Sequence, residues 1–150
     1  MRKISYLLCV LFILLSLSAC SKVEKVDGKE VAETLIEYIE LGDYDSAANM
    51  FCDDKDIEGK TFPDLLNEFE KTTGLDFQSG IEIVECTNYI SKYSGMYGTI
   101  PCAFLEFQVT IDEQTVIIDI DMMKTEDKIE CFFFNLEYKN ELYQYVCDNE

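Results

Sequence analysis

The chain of 150 residues contains no histidine and no tryptophan, only two prolines, and 12 basic against 30 acidic side chains, a formal net charge of −18. Each shortage removes a class of chemistry. Without histidine there is no imidazole to relay a proton from a serine or cysteine nucleophile, and none to ligate a metal. An acid excess of this size repels phosphate backbones and anionic lipid headgroups, which speaks against nucleic-acid binding. The charge does not signal disorder, because 48% of the residues are apolar and 13% aromatic, which is enough to bury a core.

What is present begins with an address. Arg2 and Lys3 form a positive start, Ile4 to Leu17 an apolar run of 14 residues, and that run ends in Leu17-Ser18-Ala19-Cys20. The layout is that of a signal peptide, since a spanning helix needs roughly 18 to 20 apolar residues. The tetrapeptide resembles the bacterial lipobox at every position. The resemblance implies diacylglyceryl transfer to the Cys20 thiol, cleavage before Cys20 and acylation of the new amino terminus, leaving the protein on a membrane and outside the cytoplasm. Each buried methylene of such an anchor contributes about 0.8 kcal/mol, so two or three chains hold firmly. The competing reading is an uncleaved N-terminal anchor helix with an incidental cysteine. Ser21 differs from the aspartate that resembles an inner-membrane retention signal, so in a host with an outer membrane either membrane is open.

Residues 1–19 therefore read as a signal peptide and 20–28 as a polar, lipidated tether. Cleavage removes Arg2 and Lys3, leaving ten lysines, no arginine and a net charge of −20. A domain without arginine lacks the planar fork that grips carboxylate or phosphate bidentately, which speaks against anion binding and phosphoryl transfer.

The spacing predicts an α+β domain over 29–138. Val31, Leu35, Ile36 and Ile39 fall at helical intervals from Glu30 to Leu41, with Asp27 and Glu30 placed as a capping box and Gly42 as a stop. Asp43 caps a second short helix running to Phe51. A third starts at Thr61-Phe62-Pro63-Asp64, buries Leu65, Leu66 and Phe69, and stops at Gly74. From Ile81 the period changes to two, predicting four strands near 81–91, 99–111, 114–123 and 129–138. With Asp112-Glu113 as a two-residue turn, Phe107 faces Ile118, Leu105 faces Ile120 and Val109 faces Val116, while Glu106 meets Asp119 and Phe104 meets Asp121 on the other side. A loop over Lys124–Lys128 adds Phe132, Phe134 and Leu136 to the apolar side. Residues 139–150 read as a tail that either extends the last strand or docks separately.

Three helices followed by a four-stranded meander, with the phrase Leu41-Gly42-Asp43-Tyr44-Asp45-Ser46-Ala47-Ala48 between the first two helices, resemble the nuclear transport factor 2-like (cystatin-like roll) superfamily. The resemblance implies three helices packed on a curved four-stranded antiparallel sheet around a cone-shaped cavity. It leaves activity open, because the fold hosts isomerases, dehydratases, transport adaptors and binding modules alike.

Candidate sites are few. Tyr38 on the first helix is the nearest polar group to such a cavity, whose strand positions Leu105, Phe107, Val109, Ile118, Ile120, Phe132 and Phe134 carry no acid or base; no catalytic residue and no cofactor is assigned. Asp54, Asp56, Glu58 and Gly59 imitate half of a calcium loop, but Phe62 and Leu65 occupy its ninth and twelfth positions, so no metal is assigned. Glu106, Asp119 and Asp121 gather on the outer sheet face, where Lys92 and Lys124 lie near the strand ends; this face is either solvated or a docking surface for a basic protein or peptide. Of seven cysteines, Cys9 leaves with the signal and Cys20 takes the lipid, so Cys52, Cys86, Cys102, Cys131 and Cys147 remain, an odd number. A first hairpin folding about Ser94 would set Cys86 opposite Cys102 as a disulfide, and Cys52 with Cys147 would pin the tail. No C-x-x-C occurs. Three functional readings stand: a membrane-anchored binding module, an enzyme of the isomerase or dehydratase type using an apolar cavity, and an acidic inhibitor or immunity-like protein for a basic partner.

Overall fold

The computed structural model describes Val23 and residues 25–52, 58–94, 100–125 and 128–147. Among the described residues three α-helices, α1 (Lys25–Glu40), α2 (Tyr44–Ala48) and α3 (Phe62–Thr73), are followed by a short 3-10 turn at Phe77–Ser79 and five strands. The strands β1 (Glu82–Ser94), β2 (Ile100–Ile111), β3 (Gln114–Lys124), β4 (Ile129–Tyr138) and β5 (Glu141–Val146) form one antiparallel meander in the order β1-β2-β3-β4-β5. The expected four-stranded sheet is thus corrected to five. The tail makes the difference: Lys139 and Asn140, at φ 52° and 67°, form a two-residue turn that folds it back along β4. Positive φ at both central positions matches the right-handed twist of the flanking strands.

Helix ends follow local chemistry. Gly42, at φ 71°, lets α1 stop in a left-handed turn, with the Asp43 amide donating to the Tyr38 carbonyl at 2.9 Å. Asp43 then caps α2 by accepting from the Ser46 amide at 3.2 Å. Thr61 and Asp64 form a reciprocal capping box on α3, with Pro63 in its first turn.

Two helix boundaries move from their expected places. Helix α1 starts at Lys25, not near Glu30, because Gly28 lies inside it where the helix presses on its surroundings. A Cβ there would stand 3.3 Å from Val23 Cγ1, 3.5 Å from Met122 Sδ and 3.6 Å from the Tyr89 ring. Packing overrides the low helix propensity of glycine. Helix α2 ends at Ala48, and Phe51 leaves it for a parallel bridge with Cys131, fixed by the Cys131 amide on the Met50 carbonyl at 2.9 Å and the Cys52 amide on the Cys131 carbonyl at 3.1 Å.

The β2–β3 hairpin has the anticipated register, with Phe107 opposite Ile118, Leu105 opposite Ile120, Val109 opposite Val116, and Asp112 and Glu113 at φ 50° and 62° in the turn. Its apolar face is fully buried against Leu35, Ile36, Ile39, Leu66 and Phe69 in one continuous core. Phe62 stands at the centre of an aromatic cluster, its ring 4.5 Å from Phe51, 5.0 Å from Phe134 and 5.3 Å from Tyr145. Phe132 does not join that core. The β3–β4 pairing shifts between Asp121 and Met122, so Phe132 turns to the opposite face and packs with Cys102 and Met123.

Candidate functional site

Because β2 and β3 pair without interruption, alternation carries every second side chain of this hairpin to the face away from the helices. There Glu106 lies directly opposite Asp119, and Phe104 opposite Asp121. The three carboxylates line one recess of about 150 Å³, walled by Asn88, Phe104 and Phe133. Like charges opposed across a strand pair cost stability, and no ion pair among the described residues involves any of the three.

Electrostatics follow from that crowding. Burial, with the neighbouring charge of Asp119, pushes the Asp121 carboxyl up to about 7, and Lys92 opposes the shift only partly. Asp119 is also raised, by burial and by Glu106, against a lowering hydrogen bond from Asn135. Lys92 reaches the rim, its ammonium 4.6 Å from the centre of the Phe104 ring. Thr87 donates its hydroxyl to Glu106.

Asn135 supports Asp119 from the neighbouring strand. It stands opposite Asp119 on β4, is only 4% exposed, and donates Nδ2–H to Asp119 Oδ2 at 2.8 Å. That bond fixes which end of the amide is which. Its Oδ1 is buried and accepts no hydrogen bond from the described residues. A buried unpaired acceptor costs on the order of 1–3 kcal/mol. Sequence reasoning passed over Asn135, although extending the β3 alternation to β4 sets an amide against Asp119.

The inner face is a different environment. Its positions are occupied by apolar side chains packed against helix residues, and Asn135, on the outer face, is the single amide or charged side chain fully buried among the described residues. Tyr38 is partly buried at the edge of that core. Among the described residues no group of three or more cysteines or carboxylates is placed to hold a metal ion, and no helix is long and apolar enough to cross a membrane. Of the half calcium loop, Asp54 and Asp56 lie outside the described residues, whereas Glu58 and Gly59, the latter at φ 84°, lie just ahead of α3; the lipobox also lies outside the described residues.

Cys86 and Cys102 are arranged otherwise than expected. Cys86 stands opposite Phe107 and Cys102 opposite Lys92, so Cys86 and Cys102 do not face each other. Two causes combine: the first hairpin turns beyond Ser94, which pairs with Ile100, and β1 carries register shifts at Ile83/Glu85 and Cys86/Asn88. Cys86 packs at the margin of the inner core, Cys102 in the small outer cluster. Cys52, Cys131 and Cys147 are instead drawn together, by the Cys52 amide on the Cys131 carbonyl and by Cys147 Sγ, 3.9 Å from the same oxygen. Burial, aided by Cys52, pushes the Cys131 thiol up to about 12, far from thiolate reactivity.

Nothing matched this chain in comparisons with protein-family models, with curated proteins or with solved structures.

Proposed function

We propose that the protein is an extracytoplasmic lipoprotein, anchored through Cys20, whose acidic outer sheet face binds a basic protein or peptide. The anchoring half rests on the Leu17-Ser18-Ala19-Cys20 pattern behind a short apolar run. The binding half is carried by one observation: Glu106, Asp119 and Asp121 converge on one recess with no ion pair from the described residues. A lysine or arginine side chain entering it would relieve the opposed carboxylates and meet the ring faces of Phe104 and Phe133. Among the described residues the inner face brings no acid and base together, which favours binding over catalysis.

Two measurements test this. Mass spectrometry of membrane fractions before and after Cys20→Ala should show loss of the lipid mass and of the membrane location; an unchanged mass and location overturns the anchoring. Capture of partners from the secretome at low and high salt, with the Glu106→Gln/Asp119→Asn/Asp121→Asn variant alongside, should give salt-sensitive binding that the variant loses. Binding indifferent to salt and to the variant overturns the acidic face as the site.

A further inference from the structure

The short segment after Cys20 reads as a tether holding the domain off the bilayer, and Val23 fastens its end to the fold. Val23 is 1% exposed, and its carbonyl accepts hydrogen bonds from the Tyr89 hydroxyl at 2.6 Å and the Ser91 hydroxyl at 3.1 Å, both on β1. The first turns of α1 hold it from the other side, since Gly28 leaves space for Val23 Cγ1, Met122 Sδ and the Tyr89 ring to close around one point. Two side-chain hydrogen bonds and a buried branched side chain contribute on a scale that outweighs the ordering of one residue. The chain therefore enters the fold as a fastened strap.

Covalent geometry then limits the reach of the anchor. Cys20 is three residues before Val23, and consecutive Cα atoms are 3.8 Å apart, so the two Cα atoms are at most about 11 Å from each other. The entry of the chain at Val23 has a definite place along the sheet. Val23 meets β1 at Tyr89 and Ser91, opposite Leu105 and Ala103 of β2, and it shares the Gly28 contact with Met122 of β3. Strand β3 ends at Lys124, two residues beyond Met122, where the β3–β4 turn follows. The β2–β3 turn at Asp112 and Glu113 is nine residues away in the other direction, roughly 30 Å along an extended strand.

We propose that the lipid bilayer is a fixed neighbour of this fold: the strap at Val23 holds the β3–β4 turn end of the sheet against the headgroups and points the β2–β3 turn, with Asp112 and Glu113, away from them. This rests on lipidation of Cys20. It goes beyond that reading by giving the domain one orientation and a stand-off of about one peptide strap, where a free tether would let it tumble. The acidic recess lies between the two ends, so its partner approaches alongside the membrane.

The test uses the full-length lipidated protein on phosphatidylcholine vesicles that carry a headgroup-linked energy-transfer acceptor. A fluorescent non-natural residue replaces either Lys128 or Glu113, both exposed, one at each end of the sheet. Transfer from position 128 should exceed transfer from position 113 by roughly twofold or more, given a separation of more than 20 Å along the strands. Inserting a ten-residue Gly-Ser segment between Ser21 and Val23 should erase the difference, and Tyr89→Phe/Ser91→Ala should reduce it while circular dichroism stays unchanged. Equal transfer from both positions in protein whose mass confirms the lipid overturns the orientation and leaves the anchoring intact. A mass without lipid overturns the anchoring, and the orientation with it.

Discussion

Asp121→Asn should stabilise this protein at alkaline pH, and by an amount that disappears in acid. In the folded chain the Asp121 carboxyl is held near 7, against 3.8 for an ordinary aspartate, by burial first and the charge of Asp119 second. The folded state then binds more protons than the unfolded state between about pH 4 and pH 7, so stability falls as pH rises through that window and stays low above it. Taken at face value, the difference corresponds to at most about 4 kcal/mol at pH 8. Because the carboxyl keeps some contact with water and with Lys92, screening reduces this to roughly 2 kcal/mol. Asparagine has nearly the same shape and no charge, and it also relieves Asp119. Urea unfolding of the mature chain carrying Cys20→Ala, with and without Asp121→Asn, should show the variant ahead by roughly 2 kcal/mol at pH 8, equivalent to about 6–10 °C in Tm, and the two curves merging near pH 4. Added salt should narrow the gap without closing it, since the like-charge part is screened and the burial part is not. A variant no more stable than the parent at pH 8, or a gap of the same size at pH 4 and pH 8, would refute the account of a strained acidic recess.

Two further outcomes probe the frame that carries the recess. Phe62→Ala removes the ring at the centre of the aromatic cluster joining α3, the exit of α2, β4 and β5, and should cost about 3–5 kcal/mol in chemical denaturation; a cost under about 1 kcal/mol would mean that α3 is not locked to the last two strands. Asn140→Gly places glycine at a left-handed turn position and should raise stability by a few tenths to about 1 kcal/mol, whereas a loss would contradict the two-residue β4–β5 turn.

The β2–β3 hairpin was legible because two determinants agreed. Alternation of apolar residues set the buried face, a two-residue turn set the register, and together they placed Glu106, Asp119 and Asp121 on one surface. Where a second determinant intervened, alternation alone misled. The register shift at Asp121/Met122 sends Phe132 outward, and those in β1, with a turn beyond Ser94, separate Cys86 from Cys102. Bulges leave little trace in a pattern of period two. The fifth strand escaped because Lys139-Asn140 lacks the glycine that usually marks such a turn, although Tyr143 and Tyr145 continue the alternation. The early start of α1 was hidden by Gly28, whose low propensity reads as a break until the close approach of Val23 and Met122 explains it.

The bulges that confused the register of β1 also bear on its position at the edge of the sheet. Strand β1 is long and lies at one edge of the sheet, with Val84 52% and Ile90 47% exposed, a combination that invites a second chain to pair alongside. Two register shifts within six residues break the regular spacing of its outward amide and carbonyl groups and coil the strand away from a flat template. Were copies concentrated on a membrane by the proposed anchor, where collisions between edges would be frequent, this irregularity would hinder neighbouring molecules from zipping into a continuous sheet.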